Sequence, residues 1–209
     1  NALKGKVEKY IITLCNGNLV IAGSDRRGTV YGIYELSRQM GVSPWYYWMD
    51  VPVKKQETIY VKNGIFTDGE PAVRYRGIFL NDEAPCLTTW VKNTFKTNFG
   101  GHEFYAKVFE LVLRLKGNYI WPAMWSWAFY ADDPLNMKTA DDMGVMVGTS
   151  HHEPMARSQK ERHGHSDDPN ADAQDLKSRQ QDTHQWNYAT NKAGLDKFWQ
   201  GGVERNKHT

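Results

Sequence analysis

The chain has 209 residues, of which 40% are hydrophobic and 24% charged, and its formal net charge is +2. That is enough for one medium-sized domain or two small ones, and the balanced charge favours neither nucleic acid nor a membrane surface as a partner. Two cysteines, Cys15 and Cys86, exclude a disulfide framework and a cysteine-based zinc site. No apolar run approaches the roughly 18 residues that cross a bilayer.

A hairpin followed by a helix is predicted near the start of the chain. Apolar residues at 10–14 and 19–22 flank the turn sequence Asn16-Gly17-Asn18. The polar stretch 23–29 fits neither the dinucleotide-binding nor the P-loop spacing, so we interpret it as a turn and a helix cap. The helix should stop at Gly41 and carries apolar residues at helical spacing: Val30, Ile33, Tyr34 and Met40.

Two more strands are expected before a domain boundary. The aromatic run 45–49 and the segment 58–61 both have strand-like composition. Turn residues at 68–71 then interrupt every hydrophobic period. We therefore predict an N-terminal α/β accessory domain over residues 1–68 and a second domain over residues 69–209.

Strand and helix patterns alternate after this boundary. Strands are predicted at 76–80, 118–121 and 145–149, and helices at 103–116, 134–143 and about 187–203. The first of these strands is expected to be buried, and the polar segment 159–181 is expected to be a long loop. Such alternation indicates either a small open sheet or the first three or so βα units of a (β/α)8 TIM barrel. We favour the incomplete barrel, because the sequence stops after a helix, where the next strand would begin.

Polar or aromatic residues follow each of these three strands. The segments are Asn81-Asp82-Glu83, Trp121-Pro122-Ala123-Met124-Trp125 and Ser150-His151-His152-Glu153-Pro154. In a parallel barrel the carboxyl ends of the strands share one mouth, where active sites lie. We therefore expect one shared site.

Asp82 and Glu83 are candidates for acid–base chemistry. Neighbouring strand residues point to opposite faces, so one of the two should enter the mouth. The alternative is a salt bridge to Arg74 or Arg76. Asp133, which precedes a predicted helix, is expected to be a structural cap.

The segment around His151 admits two kinds of site. A metal site through His151, His152 and Glu153 is disfavoured, because adjacent extended residues point apart and the His-x-x-x-His helical spacing is absent. A histidine that binds a substrate hydroxyl or carboxylate fits better, with a packed or solvent-facing histidine as the alternative. Trp125 could stack on a sugar ring, whereas Trp121 could equally pack inside a barrel.

These residues lie in stretches that resemble glycoside hydrolase family 115, the xylan α-1,2-glucuronidases. The matching stretches are 23–34, 41–46, 76–83, 115–125 and 148–154. The resemblance runs across nearly the whole chain and is weakest at 159–181. It implies the end of an N-terminal α/β domain and the first part of a catalytic (β/α)8 barrel.

The same resemblance implies the activity and the site. The enzyme would remove α-1,2-linked glucuronic acid, or its 4-O-methyl form, from glucuronoxylan with inversion and without a cofactor. Asp82 would be catalytic, and Asn81, Trp125, His151 and Glu153 would bind the uronic acid. Inversion needs two carboxyl groups about 6.5–9.5 Å apart, and the partner of Asp82 could lie beyond Thr209.

Further expectations follow from that resemblance. The isolated fragment should be inactive, the full-length parent could be a homodimer, and the location should be secreted or periplasmic, although no signal peptide is visible in this fragment. The alternative function is a non-catalytic carbohydrate-binding protein that uses the same aromatic mouth.

Overall fold

A computed structural model describes residues 2–122, 124, 127–151, 153–158, 161 and 187–208. The chain forms two compact units. The first comprises Asn1–Gly77 and Lys107–Tyr119, and the second comprises Ile78–Ala106 and Ile120–Thr209. The predicted boundary between residues 68 and 69 stays a prediction. All but Glu161 of the predicted loop 159–181 lies outside the described residues.

The first unit contains the predicted hairpin. Strand β1 (Tyr10–Cys15) pairs antiparallel with β2 (Asn18–Gly23), with Cys15 opposite Asn18. The two residues between them have positive φ angles, 50° at Asn16 and 76° at Gly17, as a tight hairpin turn requires. The short strand β3 (Ile65–Phe66) adds to the other side of β1, which gives the order β2-β1-β3.

Helix α1 (Arg26–Gln39) follows the hairpin, and its start confirms the predicted cap. The side chain of Asp25 accepts a hydrogen bond from the backbone N–H of Gly28 at 2.8 Å. The predicted apolar face is partly wrong, because Ile33 is 50% exposed. Tyr31 and Glu35 lie on the buried face instead. Both residues have polar contacts far along the chain: the Tyr31 hydroxyl donates to Gly117 O at 2.9 Å, and Glu35 accepts from Lys116 at 2.9 Å.

The strands predicted at 45–49 and 58–61 are wrong. Residues 44–48 form turns, with hydrogen bonds from Tyr46 N to Ser43 O and from Met49 N to Trp45 O. The aromatic side chains are held by distant polar partners. Tyr46 donates to Glu110, and the indole N–H of Trp48 donates to Lys107 O at 3.2 Å. Residues 58–61 are largely exposed and have no regular structure.

The later elements include the predicted strands and helices. In chain order they are β4 (Gly77–Leu80), α2 (Leu87–Phe95), α3 (His102–Arg114), β5 (Tyr119–Pro122), α4 (Phe129–Asp132), α5 (Leu135–Met143), β6 (Met146–Val147), a 3-10 turn (Pro154–Ala156), α6 (Lys192–Arg205) and a second 3-10 turn (Asn206–His208). The sheet has the order β4-β5-β6. The fold is therefore mixed α/β, and closure into an eight-stranded barrel stays a prediction.

Helix α3 ends at Arg114, two residues before the predicted end at residue 116. Lys116 adopts the left-handed conformation, with φ 60°. Lys116 N donates to Leu113 O, and Gly117 N donates to Val112 O at 2.8 Å. These two bonds form a Schellman motif that satisfies the last carbonyl groups of the helix.

Strand β4 is not buried as predicted. Ile78 is 41% exposed and Phe79 is 44% exposed. The second unit instead has its core around Phe104, Tyr105 and Trp127, with further buried residues Val91, Ile120, Met124, Ala128, Phe129, Tyr130, Ala140, Val145, Ala156 and Leu195. Apolar burial therefore concentrates around the start of α3 and the segment after β5, rather than on β4.

Candidate active site

Asp82 lies two residues after β4 and is almost completely buried. Its side chain is 1% exposed, and Oδ2 accepts a hydrogen bond from the backbone N–H of Trp127 at 2.9 Å. Its neighbours Asn81 and Glu83 are exposed. The alternation agrees with the prediction that only one of the two carboxylates turns inward. The contact joins the segment after β4 to the segment after β5.

Ser158 connects the segment after β6 to the segment after β5. Its side chain is fully buried, and Oγ lies 3.0 Å from Met124 O and 3.1 Å from Trp127 O, so that its one proton is shared between the two carbonyl oxygens. The segments that follow all three strands are therefore linked through Met124 and Trp127. Trp125 itself lies outside the described residues, so its predicted stacking on a sugar stays a prediction.

Glu153 and His151 have different environments. Glu153 is 1% exposed, and its carboxylate accepts a hydrogen bond from the hydroxyl of Ser150. His151 is exposed. A surface imidazole fits a side chain that meets ligand or solvent, whereas Glu153 is fixed by its neighbour. Their roles as substrate-binding residues, like that of Asn81, stay predictions.

The surroundings of Asp82 are aromatic and acidic. Burial raises the pKa of the Tyr105 hydroxyl well above its ordinary value of 10, and the carboxylates of Asp82 and Asp132 raise it further. Tyr105 is therefore a neutral phenol at working pH. The ring of Trp127 contacts that of Phe104 edge to face, with centroids 5.7 Å apart. These packed rings hold the peptide that binds Asp82 and exclude water from it.

The alternative salt bridge to Arg76 is not formed. Among the described residues, the carboxylate partner of Arg76 is Glu8, at 2.6 Å. Asp133 has the predicted capping role, since its Oδ1 accepts from Leu135 N at 2.9 Å. Its Oδ2 also accepts from the backbone N–H of His102. The carboxylates of Glu8 and Asp133 therefore stabilise the fold and are not part of the candidate site.

No metal centre is found in the described part of the chain. Within those ranges no three His, Cys, Asp or Glu side chains are placed to hold an ion, and His152 lies outside them. Cys15 and Cys86 are free thiols. None of the described helices has the length and apolar character to cross a membrane.

A cavity of about 710 Å³ lies in the first unit. It is lined by residues of β1, α1 and the segment 59–68, including Tyr10, Glu35, Tyr60 and Phe66. None of the predicted site residues borders it. The cavity is thus unrelated to the candidate site around Asp82.

Comparison with known families matches residues 68–209 to glycosyl hydrolase family 115. The chain belongs to this family. The family 115 chain is also similar to the solved structure of BtGH115A, described as a 4-O-methyl-alpha-glucuronidase with specificity for decorated arabinogalactans. The identity is 34% and the TM-score 0.80, over 97% of this chain. No curated protein matches.

The family 115 chain spans 26% of the length of BtGH115A. Membership of the family confirms the resemblance seen in the sequence. The comparison covers both units of the chain, so their mixed α/β architecture is that of a family 115 structure.

Sequence reasoning missed the residues that connect the candidate site. Trp127, Ser158 and Tyr105 lie beside Asp82 or the peptide that holds it. Tyr105 and Trp127 looked like ordinary core aromatics, and Ser158 directly precedes the polar segment 159–181. No sequence signal distinguishes a serine that bonds two distant carbonyl groups.

Proposed function

We propose that this chain is part of a glycoside hydrolase that removes α-linked glucuronic acid, or its 4-O-methyl form, from a branched polysaccharide. Membership of family 115 carries this proposal, and the similarity to a 4-O-methyl-alpha-glucuronidase supports it. The meeting of three strand-end segments around a buried carboxylate is the geometry that such an active site needs.

The mechanism uses two carboxyl groups. One protonates the leaving oxygen and the other activates water on the opposite face of the sugar, which inverts the anomeric carbon. We assign Asp82 to one of these roles. The exposed side chains of Asn81 and His151 supply hydrogen bonds to the uronic acid, Trp125 supplies a stacking surface, and Glu153 supplies an acceptor for a sugar hydroxyl.

The preferred polysaccharide is proposed to be glucuronoxylan. Its α-1,2-linked side chains are the expected substrate from the resemblance in the sequence. BtGH115A is described as specific for decorated arabinogalactans, so arabinogalactan is the competing substrate. Rates of uronic acid release from matched oligosaccharides of both kinds decide between them. A secreted or periplasmic location would give the enzyme access to either polymer. The homodimeric state of the full-length parent stays a prediction.

Substitution of Asp82 tests the catalytic role in the full-length protein that contains this chain. Asp82→Asn keeps the shape of the side chain and removes the proton-transferring group. We expect kcat to fall by roughly 10²–10⁴-fold, because positioned acid–base groups contribute factors of that size. Oligosaccharide affinity, measured by calorimetry, should be retained.

Asp142→Asn is the matched control, because Asp142 is an exposed carboxylate on α5 whose described partner is Lys138. This variant should keep the wild-type kcat. A separate measurement checks the stereochemistry: proton NMR of the first product should show the β-anomer of the uronic acid. Accumulation of the α-anomer would exclude the inverting mechanism.

A second candidate, a non-catalytic carbohydrate-binding protein, is favoured by one observation. The Asp82 carboxylate is 1% exposed and already binds the Trp127 amide, as a structural anchor does. This candidate predicts affinity for uronic acid oligosaccharides without turnover in the full-length protein. Unchanged turnover in Asp82→Asn would assign Asp82 to the anchor role alone.

A further inference from the structure

Ser158 occupies an unusual position for a serine that directly precedes the polar segment 159–181. It is fully buried, and it lies two residues after the 3-10 turn Pro154–Ala156. Its single hydroxyl proton is shared between two carbonyl oxygens, those of Met124 and Trp127, which lie 3.0 and 3.1 Å from Oγ. One side chain therefore fixes two points on the peptide that follows β5.

The same peptide holds the Asp82 carboxylate. Trp127 accepts from Ser158 through its C=O and donates to Asp82 through its N–H at 2.9 Å. Met124 and Trp127 are both about 1% exposed, so water cannot replace a lost contact. We therefore expect loss of the Ser158 contact to displace the amide that orients Asp82.

Ser158 is itself held in place from α6. Its backbone N–H donates to Glu161 Oε1 at 3.1 Å, and Glu161 Oε2 pairs with Arg205 Nη1 at 3.0 Å. The contacts therefore run from Arg205 through Glu161 and Ser158 to Trp127 and Asp82. Such support is what keeps a catalytic side chain within the narrow geometry that its reaction needs.

We propose that Ser158 is a positioning residue, which fixes the Trp127 amide and through it the Asp82 carboxylate. This inference rests on the proposed function, since it assigns Ser158 to the same reaction. Ser158 does not touch substrate in this proposal. Its loss should lower kcat and leave KM nearly unchanged, because it alters the orientation of the reacting group and not the sugar contacts.

The test is Ser158→Ala in the full-length protein, assayed on uronic acid oligosaccharides. We expect a roughly 10–100-fold fall in kcat with KM within about twofold, since small misplacements have effects of this size. The limb of the pH–rate profile that depends on Asp82 should move to higher pH. Displacement of the Trp127 N–H weakens its hydrogen bond to Asp82 and makes the charged carboxylate less stable, whichever of the two roles it has. Tyr105 stays a neutral phenol beside Asp82 in every variant.

Asn136→Ala is the matched control. Asn136 is fully buried in the same unit and also donates to two carbonyl groups, Gly100 O at 3.0 Å and Phe129 O at 2.9 Å. It should lower the unfolding temperature without moving the pH profile. A Ser158→Ala variant that behaves in the same way, with an unmoved profile, would show a merely structural role and overturn the proposal.

Ser158→Cys covers the case in which the alanine variant fails to fold. The thiol fills the site and is a weak donor, so the same pH shift is expected at a smaller size. A wild-type profile in this variant overturns the proposal. The two proposals fail separately: normal turnover in Asp82→Asn rejects the catalytic role, whereas a loss there with normal Ser158→Ala kinetics rejects only the positioning role.

Discussion

At the scale of single residues, Glu35 shows how buried charge is stabilised in the first unit. Its carboxylate accepts hydrogen bonds from Arg38 at 2.6 Å, Gln39 at 2.7 Å and Lys116 at 2.9 Å. Burial opposes the charged form, but these donors outweigh it and lower the pKa of Glu35 to about 2. Lys116 also pairs with Asp68. One lysine therefore connects the end of α3 to α1 and to the segment after β3.

Replacing Glu35 by Gln should make stability less dependent on pH. The folded-state pKa of Glu35 lies below its ordinary 4.5, so its contribution is complete above about pH 4.5 and is lost as the pH falls towards 2. We expect Glu35→Gln to lower the free energy of unfolding by about 2–3 kcal/mol at pH 7 and by roughly half as much at pH 3. Urea unfolding at both pH values measures this. Glu57→Gln, at an exposed position, is the control; an equal loss at both pH values would contradict the assignment.

At the scale of elements, local signals were predictable and long-range ones were not. The hairpin depends on Asn16 and Gly17, whose turn preference is a property of those residues alone. The aromatic run 45–49 has strand composition, but its side chains bond to α3 about 60 positions away. Helix α2 was missed because its N-cap, Cys86, makes no capping hydrogen bond. The carboxylate of Asp82 was predictable from the strand end, whereas its amide partner was not.

The N-cap of helix α1, Asp25, is one such local signal. Asp25 Oδ1 caps Gly28 N, and Oδ2 accepts from Glu8 N at 2.7 Å. Asp25→Ala removes both contacts and should cost about 1–2 kcal/mol of stability. Asp25→Asn keeps an acceptor for Gly28 and should cost less. Thermal unfolding of the two variants measures the difference, and equal melting temperatures for Asp25→Ala and the wild type would reject the capping role.

At the scale of the whole molecule, apolar side chains remain on the surface of β4 and β5. Phe79 is 44% exposed and Trp121 is 44% exposed, although both belong to strands. Strand side chains of a βα repeat are normally buried on both faces. The chain also spans only 26% of the length of BtGH115A. The position of strand β4 was therefore predicted correctly, but its burial was not. The sequence of a strand does not indicate which other elements cover it.

The 209-residue chain produced alone should consequently bind apolar dyes and fail to hydrolyse uronic acid oligosaccharides. Exposed contiguous apolar residues bind such dyes, and under the proposed function this chain alone does not hold two carboxyl groups in the reacting geometry. Fluorescence of anilinonaphthalene sulfonate measures the first effect, and Phe79→Thr should reduce it, because it removes an exposed ring from β4. Turnover by the chain alone, at a rate near that of the full-length protein, would contradict the expectation. It would place both catalytic carboxyl groups within these 209 residues.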